Sequence, residues 1–356
     1  MFNYFELTIA LFMSALATFI LTFFVKEFAV RFKFIDIPDF RKIHITPTPR
    51  LGGLAIYFGF LIGLLYLEPH AEHLPAIIIG SGIIVLTGAL DDRYSIRAVV
   101  KLSGQVSGAA VLVFSGLVIE RVTLPFFGMI DLGVFGIVLT LFWIVGITNA
   151  INLIDGLDGL ATGVSTIALS SMFVMAIMQG QVVAAYLSIV LIGSNLGFLY
   201  HNFYPAKIYM GDTGSNLLGY MIAVISILGL FKNIAIFSFI IPIVILAVPI
   251  FDTLFAIVRR ALNKQRIMAP DNKHIHYQLL NAGFSHRQSV LIMYAFSLVF
   301  GVLAVISTQV AIITTLIITM FVIALLYILA ELAGLIRGGG RPVVNYILRV
   351  LNIKKK

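Results

Sequence analysis

Cysteine is absent from this 356-residue sequence, which rules out a disulfide framework, a thiolate metal site and a cysteine nucleophile. Charge is scarce as well, because Asp, Glu, Lys and Arg make up only 11% of the residues, against 60% hydrophobic residues. With a mean hydropathy of +1.05, this composition excludes an ordinary soluble globule and predicts a bundle in lipid. The pI of about 9.6 does not indicate nucleic-acid binding, since the cations are spread over short loops between apolar runs.

Apolar segments recur along the chain at the length that crosses a bilayer, where about 20 helical residues span roughly 30 Å of hydrocarbon. They are continuously apolar and not alternating, which disfavours a β-barrel. The first segment follows Met1–Glu6 without a basic n-region or a cleavage site, so it is predicted to be a retained helix. We predict an all-α polytopic membrane protein with about eleven transmembrane helices. They lie near residues 4–25, 51–67, 76–90, 102–119, 134–151, 160–178, 183–200, 215–230, 234–258, 289–308 and 310–334.

The cations are distributed very unevenly between the two sides of this predicted bundle. Of the 24 Lys and Arg residues, 22 fall in the loops on one side, and only Arg121 and Lys232 fall on the other. The positive-inside rule makes the rich side cytoplasmic, with the N-terminus outside and the C-terminus inside. Residues 1–336 are predicted to form one bundle with catalytic cytoplasmic loops, followed by a basic interfacial tail at 337–356. The outer loop 120–133 has the strand and turn residues of a small hairpin.

Two adjacent carboxylates, Asp91 and Asp92, end the third apolar segment. Adjacent carboxylates repel each other and are tolerated near lipid when a cation or a metal lies beside them. One interpretation is a functional pair. The alternative is an interfacial turn in which Arg93 and Arg97 act as counterions.

A polar row lies at the end of the fifth apolar segment, with its members three residues apart. Neighbours in the row share a side of a helix, since three residues turn about 300°. Gly156 and Gly159 permit a break in the helix or the close approach of a ligand. Contact with solvent does not by itself account for so many polar groups at the end of one helix, which favours a functional site. The row consists of Asn149, Asn152, Asp155 and Asp158.

A third motif, Gly211-Asp212-Thr213-Gly214-Ser215, precedes the eighth apolar segment. Thr213 or Ser215 is predicted to cap the following helix, and the N-terminus of that helix would favour a phosphate. The alternative is that Asp212 itself is only a cap. The motif therefore predicts either a phosphate site or a simple helix start.

The longest inner loop, 259–288, combines histidines with several cations. His274 and His276 are two residues apart and do not share a helical face, which argues against a helical metal clamp. This basic loop is predicted to cover a phosphorylated substrate, while the carboxylates and Asn residues hold a hard cation. No Walker A, HExxH or GxGxxG pattern supports another assignment.

In this order, the four motifs resemble the polyprenyl-phosphate N-acetylhexosamine-1-phosphate transferase family over residues 39–288. The first inner loop, 39–53, is similar to that of the family as well. Members couple a sugar 1-phosphate from a UDP-sugar to a polyprenyl phosphate, usually undecaprenyl phosphate in bacteria, and release UMP. The resemblance implies an Mg²⁺-dependent enzyme, with Mn²⁺ as the alternative metal. It also implies the bacterial inner (cytoplasmic) membrane, with the active site on the cytoplasmic face.

The histidine loop distinguishes branches of this family. The branch that transfers muramoyl-pentapeptide phosphate has three histidines followed by Phe-Glu, whereas this chain has His274-Ile275-His276-Tyr277. The loop is similar to that of the UDP-N-acetylglucosamine branch, which initiates teichoic acid, O-antigen (lipopolysaccharide) and related surface glycans. That branch commonly has His where this chain has Tyr277, so no phosphate contact is assigned there. Another UDP-N-acetylhexosamine or UDP-MurNAc-pentapeptide stays open as the donor.

The resemblance implies a role for each motif residue. The metal ligands would be Asn152 and Asp212. The catalytic carboxylates would be Asp91, Asp92 and Asp155, of which Asp91 or the Asp91–Asp92 pair would act as a base or handle the lipid phosphate. The uridine would be bound by Asp158 and Gly156. The phosphates would be bound by His276, His274, Lys273, Arg266, Lys101 and Arg50.

An ion-coupled transporter is the alternative from another class, because intramembrane carboxylates also carry ions. A transporter predicts acidic residues near helix centres and inverted repeats, whereas these carboxylates lie at helix ends on one side. A non-catalytic scaffold would explain the bundle but not the ordered motifs. No nucleic-acid partner is expected, and the sequence leaves open whether the protein is a homodimer.

Overall fold

The structure is a computed structural model that describes residues 2–36, 47–124, 128–229, 240–265, 273–310 and 312–333. Within these residues the chain is mostly helical. The helices are α1 Tyr4–Arg31, α2 Gly52–Leu67, α3 Leu74–Tyr94, α4 Ala98–Phe114, α5 Phe135–Ile154, α6 Leu160–Met178, α7 Val182–Asn202, α8 Gly211–Gly229, α9 Ile240–Ile245, α10 Ala247–Leu262, α11 Ile275–Asn281, α12 His286–Ser307 and α13 Ile312–Leu332. The strands are β1 Ile35–Asp36, β2 Thr48–Pro49, β3 Arg121–Leu124 and β4 Gly128–Asp131.

A helix overlaps each of the eleven apolar segments predicted from hydropathy. Among the described helices, six are long and apolar enough to cross a membrane: α1, α3, α5, α6, α7 and α12. The chain is therefore a mostly helical membrane protein. The number of eleven spans and their orientation stay predictions, and the basic tail 337–356 lies outside the described residues.

The ninth apolar segment differs from its prediction as a single helix, because α9 and α10 divide it at Leu246. Pro249 lies in the first turn of α10 and has no N–H to donate to the carbonyl of Ile245, four residues earlier. The chain still turns helically here, since Leu246 N–H donates to the Pro242 carbonyl at 3.0 Å. The interruption is therefore a local break caused by proline.

Two short antiparallel strand pairs join loops of the bundle. The hairpin predicted within 120–133 is confirmed, since β3 pairs with β4 from Arg121 opposite Asp131 to Leu124 opposite Gly128. The second pair, β1 with β2, was not predicted. It is followed by an isolated bridge between Arg50 and Tyr209, which brings the first inner loop against the segment before α8.

The central helix of the bundle is α8, which contacts α2, α3, α5, α6 and α7. Every residue of α8 except Asp212 is buried. A helix that is apolar on all sides is expected in such a central position. Asp212, in the first turn, is thus the position at which α8 is accessible from outside the bundle.

Glycines determine how closely α1 packs on α2 and α7. Gly193 and Gly197 of α7 are four residues apart, and a Cβ on Gly193 would collide with Ser14 Oγ and the Leu11 carbonyl of α1. A Cβ on Gly59 of α2 would likewise collide with the side chain of Thr18. Small residues at this spacing let helix backbones approach closely in membranes, where apolar surface alone gives no driving force. The position of α1 therefore depends on these glycines.

We expect Gly193→Ala to lower the apparent melting temperature in detergent, because the new methyl group must displace α1 at a cost of about 1–3 kcal/mol. The measurement is thermal unfolding followed by intrinsic fluorescence. Gly146→Ala is the matched control, since that helical glycine has no neighbouring atom within 4 Å of the added Cβ. Equal melting temperatures for the two variants would contradict the packing argument.

Candidate active site

The predicted motif residues converge at one end of the bundle. Asp91 and Asp92 lie near the end of α3, and Asn152 lies near the end of α5. Lys101 and Asp212 lie in the first turns of α4 and α8. The chain thus brings together side chains that are up to 121 positions apart, at the end of the bundle that carries the predicted inner loops.

Lys101 is the centre of this cluster. Its Nζ donates to Asp212 Oδ2 at 2.5 Å and to Asn152 Oδ1 at 3.0 Å. It also lies 3.1 Å from Asp91 Oδ2. The amide of Asn152 is oriented from its other side, where Nδ2 donates to Asp212 Oδ1 at 2.9 Å and to Ser215 Oγ at 2.8 Å. Oxygens from three helices therefore surround one cationic atom.

The oxygens around Lys101 fit magnesium by their chemistry. Mg²⁺ takes oxygen ligands and is commonly held by one or two carboxylates together with waters and substrate phosphates. Asp91 and Asp212 supply two carboxylates, and Asn152 supplies an amide oxygen. No group of three or more His, Asp or Glu side chains that could hold a metal occurs within the described residues. The two carboxylates and the amide oxygen would leave the remaining positions of a bound Mg²⁺ to waters and substrate phosphates.

The neighbouring carboxylate, Asp92, has a different environment. Its side chain has no exposed surface, and Oδ1 accepts from Arg50 Nε at 3.0 Å and from the Asp212 N–H at 2.9 Å. Oδ2 accepts from the N–H of Thr213 at 3.0 Å and from its hydroxyl at 2.6 Å. Gly88 permits this approach, since a Cβ there would lie 2.5 Å from Thr213 Cα. Asp92 thus anchors the start of α8 to α3.

The expectation that Thr213 or Ser215 caps α8 is wrong. The helix begins at Gly211, so both residues lie inside it, and Ser215 Oγ donates back to the Gly211 carbonyl at 3.0 Å. The first N–H groups of a helix lack intrahelical partners, and Asp92 of another helix supplies the acceptor. The N-terminus that was predicted to favour a phosphate is therefore bound by a carboxylate.

The predicted row from Asn149 to Asp158 is divided between two environments. The helix α5 ends at Ile154, so Asn149 and Asn152 lie on it, while Asp155 and Asp158 lie in the turn before α6. Gly159, at φ +77°, is the N-cap of α6 and lies in the left-handed region that favours glycine. The break allowed by the glycines is confirmed, and a continuous polar helix face is not.

The backbone N–H of Asp155 donates to the Asn152 carbonyl at 3.3 Å, whereas its carboxyl group makes no hydrogen bond or ion pair within the described residues. Burial raises the pKa of Asp155 to about 7, and repulsion by Asp212 adds to this, while the charge of Arg50 opposes it. A carboxyl group with this pKa is near half protonation at neutral pH. Asp155 is therefore available to a ligand that brings positive charge or a hydrogen-bond donor.

Asp158 is held on two sides in the same turn. Its Oδ2 accepts from the Ala206 N–H at 2.9 Å, and its own N–H donates to His286 Nε2 at 3.0 Å. The His286 ring stacks on Tyr204 with 4.4 Å between ring centroids. The predicted uridine contact therefore lies beside an aromatic stack that the sequence did not reveal.

His276 packs against this turn from the inner loop. A Cβ on Gly156 would collide with His276 Nε2. His276 is 1% exposed, and burial lowers its pKa to about 4, so its imidazole is neutral. Lys273 is exposed at the start of the same segment, and Arg266 lies outside the described residues. The structure thus brings His276 to the motif residues and does not test Arg266.

A second polar layer lies one helical turn deeper than Lys101, and sequence reasoning named its Asn149 but missed Gln105 and Asn216. Gln105 Nε2 donates to Asn216 Oδ1 at 3.1 Å, and Asn149 Nδ2 donates to Gln105 Oε1 at 2.8 Å. Gln105 and Asn216 follow Lys101 and Asp212 by four residues on α4 and α8. That spacing within apolar helices was the available signal, because buried amides need partners.

The chain is similar in sequence to several known proteins. The pattern of glycosyl transferase family 4 matches residues 74–230. The chain is 46% identical, over 97% of both chains, to a probable undecaprenyl-phosphate N-acetylglucosaminyl 1-phosphate transferase of Bacillus subtilis. It is 36% identical to a decaprenyl-phosphate N-acetylglucosaminephosphotransferase of Mycolicibacterium smegmatis, over 81% of this chain and 79% of the relative. An undecaprenyl-phosphate alpha-N-acetylglucosaminyl 1-phosphate transferase of Escherichia coli K12 is 33% identical over 81% of each chain.

We expect Asp92→Ala to destabilise the fold by about 3–5 kcal/mol, because it removes a buried ion-pair partner and leaves the Arg50 Nε–H and the N–H groups of Asp212 and Thr213 without their acceptor. The measurement is the melting temperature in detergent. Asp91→Ala is the comparison, and it should cost less, since Lys101 keeps Asp212 and Asn152 as partners. A larger loss of stability for Asp91→Ala would contradict the anchoring role of Asp92.

The raised pKa of Asp155 predicts a pH-dependent stability. Unfolded Asp ionises near pH 4, whereas folded Asp155 ionises near 7, so the carboxyl progressively destabilises the fold as pH rises from about 4 to 7. Asp155→Asn removes this effect. The measurement is the melting temperature of the variant minus that of wild type, in a chelating buffer. This difference should rise between pH 4.5 and pH 7, which is about the interval between the two pKa values, and then level off. A difference that stays constant over this range would contradict the prediction.

Proposed function

The chain belongs to glycosyl transferase family 4 and is a sugar-phosphate transferase, and from this premise we propose that it acts on UDP-N-acetylglucosamine and undecaprenyl phosphate. It transfers N-acetylglucosamine 1-phosphate to the lipid and yields undecaprenyl-diphosphate-N-acetylglucosamine and UMP. The Bacillus subtilis and Escherichia coli relatives carry the name of this activity. The observation that carries the proposal is the cluster of Asp91, Asn152 and Asp212 oxygens around Lys101 at the end of an apolar bundle.

The position of the cluster suits a reaction between a soluble and a lipid substrate. Asp91 and Lys101 lie at the ends of α3 and α4, next to the exposed apolar residues Val99, Val100 and Leu102. A polyprenyl tail would remain in lipid while its phosphate reaches the polar cluster. We place the protein in the bacterial inner membrane with this end on the cytoplasmic side, on the basis of the cation-rich loops.

Phosphoryl transfer requires positioning and charge neutralisation more than covalent chemistry by the protein. An oxygen of the lipid phosphate attacks the β-phosphorus of the UDP-sugar, and the bond from that phosphorus to the bridging oxygen breaks, so UMP leaves with this oxygen. A phosphate monoester has a second pKa near 6 and is largely dianionic at pH 7. No strong base is therefore needed, and Asp91 acts by fixing Lys101, whose ammonium neutralises phosphate charge.

Asn152 and Asp212 would hold the metal, while Asp91 stays paired with Lys101. When bound, Mg²⁺ supplies charge neutralisation at the diphosphate oxygens. Contacts within the protein orient the side chains that would bind the metal. Asp92, which is paired with Arg50, accepts from the Asp212 N–H and so holds Asp212 in place. The Asn152 amide is held by its hydrogen bond to Ser215 Oγ.

The remaining polar groups suit the donor nucleotide. Asp158 has one carboxylate oxygen bound to the Ala206 N–H and the other 4.0 Å from His286, which leaves acceptor capacity for a uracil N–H. His276 is buried against Gly156, and its two ring nitrogens bond to no group of the described residues. A neutral imidazole in this position can donate one hydrogen bond to a diphosphate oxygen. Both residues would thus contact the UDP part of the donor.

Purified protein in detergent, supplied with radiolabelled UDP-N-acetylglucosamine, undecaprenyl phosphate and Mg²⁺, should release UMP and form a labelled lipid. Asp212→Asn and Asn152→Ala should each lower this rate by at least about 100-fold, because the site loses charge or orientation. Asp131→Asn, in the outer hairpin, is the control and should retain full rate. A chelator should abolish transfer, and added Mg²⁺ should restore it.

Near wild-type turnover in the Asp212 and Asn152 variants would contradict the proposed site. A panel of UDP-sugars separates the donors, since a faster rate with another UDP-N-acetylhexosamine or with UDP-MurNAc-pentapeptide would reassign the substrate. Unchanged melting temperatures in the variants exclude unfolding as the cause of lost activity.

A further inference from the structure

A buried carboxylate outside the cluster, Asp252, is bound to the histidine segment. It lies on α10, is 2% exposed, and accepts from His274 Nδ1 and from the Ile275 N–H, each at 2.8 Å. Burying a carboxylate is unfavourable unless hydrogen bonds or charges compensate for it. The two bonds provide this compensation and tie the segment after residue 272 to the bundle.

The bond from Asp252 determines how the His274 ring is held. Its Nδ1 carries the proton that Asp252 accepts, which fixes the orientation of the ring. The ring of His276 lies parallel to it, with 5.8 Å between centroids and 6° between planes. The orientation of one imidazole is thus transmitted to the next by packing.

The imidazole of His276 has no hydrogen bond to a described residue that would hold it. Neither ring nitrogen has a partner among the described residues, and the ring is confined by His274, Tyr277 and the backbone at Gly156. A side chain that is held only by packing moves when its packing partner moves. The position of His276 against the Asp155–Asp158 turn therefore depends on His274, and through it on Asp252.

We propose that Asp252 is a positioning residue that acts through His274 to hold His276 at the donor diphosphate. The inference rests on the proposed function, in which His276 contacts the UDP-sugar. Asp252 itself touches no substrate. It resembles the carboxylates that orient a functional histidine through a hydrogen bond without touching the substrate. Loss of such a partner typically costs about 10–100-fold in activity.

The first test is independent of activity. Asp252→Asn keeps an acceptor for the Ile275 N–H but cannot accept from His274 Nδ1–H. In full-length protein treated with diethyl pyrocarbonate, mass spectrometry should show His276 modified about tenfold faster in the variant, because local opening becomes easier. Asp131→Asn is the control and should match wild type. Unchanged protection of His276 in Asp252→Asn would overturn the proposal, whatever the activity.

The second test is a double-mutant cycle on UMP release. Asp252→Asn should lower kcat by about 10–100-fold in the wild-type background. In a His276→Ala background it should cause no further loss, because the residue through which it acts is gone. If Asp252→Asn lowers kcat by the same factor in the His276→Ala background as in wild type, its role is merely structural and the proposal is overturned. The KM for the lipid phosphate should not change.

The two tests separate the possible failures. If wild type releases no UMP from UDP-N-acetylglucosamine, the proposed function fails, while the chemical modification still decides the role of Asp252. If Asp252→Asn does not fold, His274→Asn replaces it, since its amide still donates to Asp252 but removes the ring that stacks on His276. The same faster modification of His276 is then expected, and unchanged protection overturns the proposal.

Discussion

The buried carboxylate of Asp92 is the interaction on which the candidate site depends. A carboxylate in a membrane protein is costly to bury, and this one is compensated by four donors from Arg50, Asp212 and Thr213. These donors belong to the loop before α2 and to the start of α8, so one side chain of α3 joins three parts of the chain. Because the Asp212 N–H is among them, the anchor also sets the direction of the Asp212 side chain.

Polar groups at this end are arranged in layers that support one another. Lys101 and its oxygen partners form the outer layer, and the amides of Gln105, Asn149 and Asn216 form the layer below. Satisfied buried networks rigidify a core, whereas an unpaired amide in such a place would be costly. The lower layer therefore fixes the relative rotation of α4, α5 and α8. The oxygen atoms around Lys101 come together only when these helices have that rotation. Within the described residues the Asp155 carboxyl group is left without a hydrogen bond, as expected of a group kept for a ligand.

Sequence reasoning named most residues of the cluster around Lys101 but few of the contacts that support it. The motif residues Asp91, Lys101, Asn152 and Asp212 were named from their types and order, and the structure brings them together. The division of labour between Asp91 and Asp92 was not predictable, because adjacent residues on a helix point in different directions and only the packing of α8 on α3 distinguishes them. The cap of α8 was assigned to Thr213 or Ser215 because local patterns consider only nearby residues, whereas the acceptor comes from 120 positions away.

The sequence by itself determined the class of protein, the positions of the apolar segments and the family, since hydropathy and short motifs are local properties. It also concentrated the cations and the acidic motifs on the same predicted face. Only the tertiary structure decided that Lys101 is the centre of the cluster, that Asp92 is an anchor, and that Asp252 holds the histidine segment. Each of these depends on contacts between distant helices, whose rotation and separation are set by close packing at glycines and by the need to pair every buried polar group.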